Sequence, residues 1–429
     1  MKRILVFLLI ICVSAAAFAG GGSQSSGGAA QSAQSQEIRV LLANHPYGEL
    51  LKPLIPDFEK ETGIKVIVES LQESQLTQKL TQEFATNSST VDVFMTRPLQ
   101  ETLLFNKNGW YAPLDSYDFS DYPPNTVDIG RKDGKPYIVP LVTEWQVLYY
   151  RKDLFQKTGI KVPADFTELE AAAKALNTGG VAGFGSRGAG AAAVTQLSSY
   201  VYNYGGKYLD NNVAVFDKLE AVEAIKYYGR LLGNYGPQGI TSMSWEALMP
   251  VFQAGKLAMW TDASVFYGQI VDPTKTQIPA EDVGVARLPR GPKADSPFIV
   301  VSWAMAVSGK SRNLDAALKF LTWSTSKDLA AKGMAANITM ARNSVWDDPA
   351  VKAATNPGLI ETREHASKNG YPYDRPFMSS VGKARDLIGE VIIESINSKG
   401  TSNRLQSMAA ERAGGVNDLL KADGEYGGK

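Results

Sequence analysis

Cysteine and histidine are scarce in this 429-residue sequence, and neither sign of charge is in excess. The only cysteine is Cys12, so a chain without its N-terminal leader has no thiol for disulfides or nucleophilic catalysis. The two histidines, His45 and His365, are too few for a zinc site of the usual ligand type. A hydrolase triad would have to use one of them as its base. The 44 basic and 44 acidic residues leave no formal net charge, unlike a nucleic-acid-binding domain. We expect no cofactor, no metal and no nucleic-acid partner.

Long apolar runs are also lacking, except close to the N-terminus. Lys2 and Arg3 precede an apolar run over residues 4–13, and residues 17–19 read A-F-A, the form of a signal-peptidase site. We therefore predict a signal peptide at residues 1–19 and an exported, periplasmic protein.

The segment that follows the leader has almost no apolar side chains. Residues 20–36 consist nearly entirely of Gly, Ser, Ala and Gln, which predicts a flexible linker. Bulky Ile10 and Ile11 precede Cys12, so we interpret this cysteine as apolar filler. The alternative is a lipid-attachment site that anchors the protein at the membrane surface, with the linker as its tether.

The rest of the chain has the alternating strand and helix patterns of an α/β protein. β-Branched runs that predict strands are separated by segments with apolar residues at helical spacing, and Gly63 ends the first of these helices. Such alternation indicates βαβ units and a largely parallel sheet. The predicted strands cover residues 38–42, 64–68, 91–95, 258–261 and 299–307. The predicted helices cover residues 49–62, 73–85, 171–176, 219–232, 244–254, 314–325, 381–397 and 403–421, the third preceded by a capping box at 167–170.

Catalytic motifs are incomplete where they occur. Residues 183–188 match G-x-G-x-x-G, but a turn precedes them instead of the strand that a dinucleotide site requires, so we predict a flexible loop. Gly309-Lys310-Ser311 resembles the end of a P-loop, but the first glycine is replaced by Ala304. A glycosidase-type pair of carboxylates stays open, since sequence gives no separations.

Aromatic and charged residues lie where predicted strands end or loops begin. Ligands of open α/β sheets bind beyond the carboxyl ends of strands. Flat rings cover the apolar faces of a sugar, while carboxylates and guanidinium groups bind its hydroxyl groups directionally. The candidates for such a site are Trp145, Arg187, Trp245, Trp303 and Arg375.

Four phrases resemble the family 1 extracellular solute-binding proteins, the carbohydrate receptors of ABC importers. These phrases are FEKETGIKV at 58–66, GKP to PLVTE at 134–144, VLYYRKDLF at 147–155 and FQAGKLAM at 252–259. They follow the family's order over nearly the whole chain. One departure is Arg151, where members usually have Asn or Asp. The strand Trp303-Ala304-Met305-Ala306 is most similar to sorbitol- and mannitol-type receptors.

This resemblance implies an α/β fold of type II, the two-lobed periplasmic-binding-protein fold with mixed sheets and hinge-connecting strands. We place one lobe at 37–142 and 264–311, and the other at 143–263 and 312–429. By the same resemblance, Glu144 matches a ligand-contacting glutamate of maltose-type members. Further positions fall in loops that contact ligand in relatives, namely His45, Tyr47, Arg97, Asp262, Ser264, Tyr373 and Arg375.

The resemblance further implies a monomeric, non-catalytic receptor that captures a sugar or sugar alcohol and delivers it to the permease subunits of an ABC importer. Two alternatives stay open. One is a secreted carbohydrate-active enzyme, and the other is a binding protein that serves chemotaxis or adhesion.

Overall fold

The computed structural model describes residues 36–427, so the predicted signal peptide and most of the predicted linker lie outside the described residues. The strands in the described part are β1 Glu37–Ala43, β2 Lys65–Leu71, β3 Val93–Thr96, β4 Arg131–Lys132, β5 Lys135–Pro136, β6 Val139–Arg151, β7 Leu209–Asp210, β8 Val213–Ala214, β9 Met259–Ala263, β10 Val283–Arg287 and β11 Ile299–Val307. The helices there are α1 Pro46–Leu51, α2 Ile55–Thr62, α3 Glu73–Ala85, α4 Pro98–Lys107, α5 Pro124–Asp128, α6 Lys152–Thr158, α7 Phe166–Leu176, α8 Gly190–Asn203, α9 Leu219–Tyr235, α10 Trp245–Gln253, α11 Tyr267–Ile270, α12 Leu314–Ser324, α13 Lys327–Ala335, α14 Asn343–Asp347, α15 Pro349–Ala354, α16 Pro357–Asn369, α17 Val381–Asn397 and α18 Leu405–Asp423.

A first sheet has the strand order β2-β1-β3-β11-β6. β1 pairs in parallel with β2 and β3, as the βαβ pattern predicts, and β11 runs antiparallel to β3. The carboxyl ends of β1 and β3 therefore meet at one edge of this sheet. That edge is where the loops after Ala43 and Thr96 present their side chains.

The long strand β6 connects this sheet to a second group of strands. Its first part, from Val139 to Trp145, pairs with β11. Its second part, from Gln146 to Arg151, pairs with β9 on one side and β10 on the other. One strand thus runs through both groups, which is the arrangement expected of a hinge strand. The predicted α/β class with mixed sheets is confirmed.

The predicted lobe boundaries differ from the strand pairing at two places. β10 lies inside the segment assigned to the first lobe, yet it pairs with the second part of β6. α12 lies in the segment assigned to the second lobe, yet it packs against β1, β3 and β11. The division into lobes stays a prediction, and these contacts argue for moving both elements to the opposite lobe.

Local sequence signals place several helix ends correctly. Gly63 ends α2 in the left-handed conformation, with φ of 70°. The prolines before α2 make its start irregular, since Lys52–Leu54 forms a 3₁₀ turn. The capping box of α7 was predicted two residues too late. Asp165 caps that helix by accepting the N–H of Glu168, whose carboxylate accepts the N–H of Ala164.

The predicted flexible loop at residues 183–188 is wrong, because this segment is buried and pairs with β9. The N–H of Gly185 donates to the carbonyl of Met259 at 2.8 Å, and the N–H of Thr261 donates to the carbonyl of Gly185 at 3.0 Å. A Cβ on Gly183 would lie 1.9 Å from the carbonyl oxygen of Ala173. The glycines therefore permit close backbone packing and do not form a phosphate loop.

We predict that Gly183→Ala lowers the free energy of unfolding by about 1–3 kcal/mol, the usual cost of overpacking a close-packed site. Urea unfolding measures the loss. Gly414→Ala is the matched control, because Gly414 lies within α18 and its Cβ would meet nothing within 4 Å. This variant should gain about 0.5–1 kcal/mol. An unchanged midpoint for Gly183→Ala would contradict the packing argument.

Candidate functional site

His45, Glu144 and Trp303 come together at the carboxyl ends of the first sheet's strands. His45 caps α1, where its Nδ1 accepts the N–H of Tyr47 at 3.2 Å. In a neutral imidazole the other nitrogen then carries the proton, and His45 Nε2 lies 3.4 Å from Glu144 Oε1. The indole of Trp303 lies 5.4 Å from the His45 ring. These three predicted site residues thus share one corner, although they are far apart in sequence.

Arg97 extends this corner toward α3. Its guanidinium carbon lies 5.8 Å from the centre of the Trp303 ring, and its Nη1 lies 3.0 Å from Glu73 Oε2. The backbone N–H of Arg97 donates to Glu101 Oε2 at 2.6 Å, which fixes the backbone at the start of α4. Sequence reasoning missed Glu73, although it begins the helix that follows β2, a position at the carboxyl end of a strand.

Arg187 and Asp262 form a buried ion pair at the end of β9. Arg187 Nε lies 3.1 Å from both carboxylate oxygens, and its Nη2 lies 2.6 Å from Asp262 Oδ1. The carboxylate is fully buried and also accepts the Ala263 N–H and Gln196 Nε2. Burial on its own would lower the pKa of Arg187, but the Asp262 charge raises it, so the guanidinium stays protonated.

Arg375 reaches from the loop before α17 to α4. It pairs with neighbouring Asp374 at 2.6 Å, and its Nη1 donates to Gln100 Oε1 at 3.1 Å. Arg385 Nη1 donates to the same Gln100 oxygen at 3.0 Å. Gln100 lies on α4, so this shared acceptor links the start of α4 to the loop before α17 and to α17 itself.

The charge on Glu73 links these groups electrostatically. Burial on its own would raise the pKa of Glu73, but the positive charges of Arg97 and Arg187, followed by His45 and Arg375, hold it below its ordinary value of 4.5. Arg97 binds this carboxylate directly, and the charges of the other three act on it.

We predict that Glu73→Gln weakens the acid sensitivity of the fold. A carboxylate whose pKa is lower in the folded state stabilises the fold above pH 4.5, and this stabilisation is lost as pH falls through the folded-state pKa. Thermal melts from about pH 3 to 7 should therefore show a shallower acid loss for Glu73→Gln than for the unmodified chain. Glu61→Gln, on the exposed face of α2, is the control. Parallel profiles for all three proteins would contradict this account.

Two predicted site residues are buried behind the corner. Trp145 is 1% exposed and donates from Nε1 to Thr362 Oγ1 at 3.0 Å. Tyr47 is fully buried and its hydroxyl donates to the carbonyl of Ser324. Their burial and satisfied hydrogen bonds favour packing roles, so a direct ligand contact for either stays an untested prediction.

Of three more predicted residues, Trp245 and Ser264 lie beside the corner and Tyr373 does not. Trp245 stacks on Phe266 at 4.7 Å, and the Arg187 guanidinium lies 6.0 Å from the centre of that same ring. Ser264 Oγ accepts the N–H of Trp145 at 3.3 Å, which ties β6 to the end of β9. Tyr373 packs against Phe377 and faces a different cavity.

That cavity has a volume of about 1230 Å³ and lies between α4, α5 and the segment after α16. Its walls mix apolar side chains, as at Leu99, Ile129 and Phe377, with charged ones, as at Asp128 and Arg363, and Tyr373 is the one predicted site residue among them. Thr143, next to Glu144 on β6, lines it, and successive strand residues point to opposite faces. Four predicted site residues meet in the corner and one lines the cavity, so we take the corner as the candidate site.

Within residues 36–427, no helix is both long and apolar enough to cross a membrane. The same residues contain no group of three or more His, Cys, Asp or Glu side chains placed to hold a metal ion.

Comparison with known proteins identifies related chains. Residues 43–331 match the family model described as bacterial extracellular solute-binding protein. A mannitol-binding protein of Pseudomonas aeruginosa is 30% identical over 294 residues, which is 65% of each chain. An ABC transporter solute-binding protein from Agrobacterium vitis, solved with bound D-mannitol, has a TM-score of 0.79 at 26% identity and covers 91% of this chain and 99% of its own. One from Agrobacterium radiobacter, in complex with ribitol, has a TM-score of 0.80 at 24% identity and covers 90% of this chain and 98% of its own. These likenesses confirm the two-lobed fold.

Proposed function

Because the chain belongs to the family of bacterial extracellular solute-binding proteins, we propose that it is a receptor that captures a polyol or sugar and delivers it to the permease subunits of an ABC importer. The protein binds its solute without transforming it. A mannitol-binding relative and a structural neighbour that holds D-mannitol favour an acyclic polyol as the ligand.

The observation that carries this proposal is that Arg97 and His45, which meets Glu144 at 3.4 Å, both lie beside the ring of Trp303. The positive charges of Arg187 and Arg375 act on the Glu73 carboxylate that Arg97 binds. A polyol has many hydroxyl groups, each of which donates and accepts, on a carbon chain with apolar C–H surface. Carboxylates and guanidinium groups in fixed positions satisfy these hydroxyls directionally, and the indole covers C–H surface. Such a mixture of few polar groups and an aromatic wall is typical of small-molecule sites.

The hinge strand explains how capture and delivery are coupled. The corner takes Glu144 from the part of β6 that pairs with β11, and Asp262 from a strand that pairs with the other part. A rotation within β6 would separate the two walls of the site. A ligand that contacts both walls favours the closed state, which the permease then recognises.

Isothermal titration calorimetry of residues 37–429 tests the proposal against D-mannitol, D-sorbitol, ribitol, maltose, a tetrapeptide and sulfate. We expect saturable binding of at least one polyol or sugar, with its chemical structure unchanged after incubation. Binding of the peptide or sulfate alone would contradict the ligand class. A converted product would favour the enzyme alternative.

We also propose that the protein is exported by cleavage after Ala19 and acts as a periplasmic monomer. The leader pattern and the extracellular family support export. The intact mass of the protein recovered from the periplasm, together with its size by light scattering, tests it. A mass that includes a diacylglyceryl group on Cys12 would instead establish the lipid-anchored form.

A further inference from the structure

The side chain of Gln146 is buried, and within residues 36–427 no donor reaches its amide oxygen. The residue is 1% exposed, so bulk water does not solvate this oxygen either. Buried polar groups in native proteins are nearly always hydrogen-bonded, and an unsatisfied one is destabilising. An acceptor held without a donor inside a candidate binding region is therefore informative about the missing group.

The orientation of this amide follows from its neighbours. Both oxygens of Asp262 accept N–H groups from Arg187, so the carboxylate serves as acceptor only. Gln196 must turn its Nε2 toward Asp262, at 3.0 Å. Gln196 Oε1 is then left to accept from Gln146 Nε2, at 2.7 Å. The carbonyl of Gln196 accepts from the same Nε2 at 3.2 Å.

A flipped Gln146 amide would place its oxygen against two other oxygens, which removes both hydrogen bonds. The chain of contacts that begins at the Arg187–Asp262 pair therefore fixes Gln146 with its Nε2 toward α8 and its oxygen free. This assignment rests on the hydrogen-bond network of these four side chains and needs no hydrogen positions.

Gln146 lies on the same face of the hinge strand as Glu144. Gln146 follows Glu144 by two residues on β6, and residues i and i+2 of a strand point to the same face. Glu144 is the carboxylate that meets His45 in the corner, whereas Trp145 between them points toward α16. Gln146 and Glu144 therefore lie on one face of β6, with Gln146 further along the strand.

We propose that Gln146 Oε1 accepts a hydrogen bond from one hydroxyl group of the bound polyol, and that Gln146 thereby determines specificity. This inference rests on the proposed function and adds to it. The ligand must offer an O–H donor at this point, since a C–H or a second acceptor would leave the oxygen unsatisfied. A site built to bind a hydroxyl discriminates strongly against analogues that lack it.

The test combines protein variants with ligand analogues. Gln146→Leu and the nearly isosteric Gln146→Met remove the acceptor, and each is titrated with D-mannitol, with D-sorbitol and with the six monodeoxy derivatives of D-sorbitol. D-Sorbitol has no twofold symmetry, so a derivative cannot replace its missing hydroxyl by binding in the reversed orientation, as a D-mannitol derivative could. Gln253→Leu is the control, since it removes a buried amide at the end of α10 whose Nε2 donates to the carbonyl of Gln269.

We expect both Gln146 variants to bind D-mannitol about 5- to 150-fold more weakly than the unmodified protein, the range of one buried hydrogen bond. One deoxy derivative should bind the unmodified protein more weakly than its parent polyol by a similar factor. The variants should bind that derivative and the parent polyol with the same affinity. The Gln253 control should bind as the unmodified protein does.

Two results would overturn the inference. One is unchanged affinity in the variants, as expected if a trapped water satisfies Gln146. The other is that every deoxy derivative loses the same factor of affinity on the variants as on the unmodified protein. If the unmodified protein binds none of the polyols or sugars of the calorimetric panel, the proposed function itself fails, and this result is distinct from both.

Discussion

Replacement of Arg187 by methionine is expected to lower the free energy of unfolding by about 3–5 kcal/mol. Methionine keeps the unbranched apolar stem but removes the charge that Asp262 requires. The Asp262 carboxylate would stay fully buried, with only Gln196 and the Ala263 N–H as donors. An uncompensated buried charge is among the few changes that cost this much. Urea unfolding at pH 7 measures the loss.

The difference in free energy of unfolding between Arg187→Met and the unmodified protein should become smaller as the pH falls, because protonation of Asp262 removes the uncompensated charge in the variant. Arg230→Met is the matched control. Arg230 also binds a carboxylate with two nitrogens, that of Glu170, but at the protein surface. Surface pairs contribute about 0–1 kcal/mol, so this variant should change little. Equal losses for the two variants would contradict the role assigned to burial.

Glu144→Ala is expected to raise the dissociation constant for the best polyol about 10- to 150-fold. Glu144 is 9% exposed, and among residues 36–427 only His45 reaches its carboxylate, so acceptor positions remain for ligand hydroxyls. A hydrogen bond to a charged group contributes about 1.5–3 kcal/mol, which converts to that range. Calorimetric titration measures the change.

The control for Glu144 removes a charge from the large cavity on the other face of β6. Arg363 lines that cavity, and its guanidinium lies 4.2 Å from the centre of the Trp346 ring. Arg363→Met should leave polyol affinity within about twofold of the unmodified value, less than the effect of one lost hydrogen bond. If Arg363→Met abolished binding and Glu144→Ala did not, the ligand would occupy the cavity and the corner would not be the site.

Local patterns predicted most secondary structure because they depend on neighbours in sequence. The run Ile299–Val307 and the helices Glu73–Ala85 and Val381–Asn397 have the bounds that their patterns predict. The partners of β10 could not be predicted in this way. Its pairing with β6 brings together residues more than 100 positions apart, and no local signal specifies which strand edge it meets.

The candidate site was predicted in part for a similar reason. Loops after strands presented His45 and Arg97 as expected, but Trp145 was chosen for being beside Glu144. Strand alternation indicates that neighbouring residues on β6 face opposite sides of the sheet. This signal could have excluded Trp145 from the face that carries Glu144. Gln146 and Gln196 carry no motif, and their importance depends on a hydrogen-bond network that exists only in the fold.

A crystal structure of residues 37–429 with a bound polyol tests the central claim most directly. The account predicts ligand hydroxyl oxygens within about 3.2 Å of the carboxylate of Glu144 and the amide oxygen of Gln146, with the carbon chain against the ring of Trp303. Ligand density in the cavity beside Leu99 and Phe377, with the charged corner occupied only by water, would contradict it.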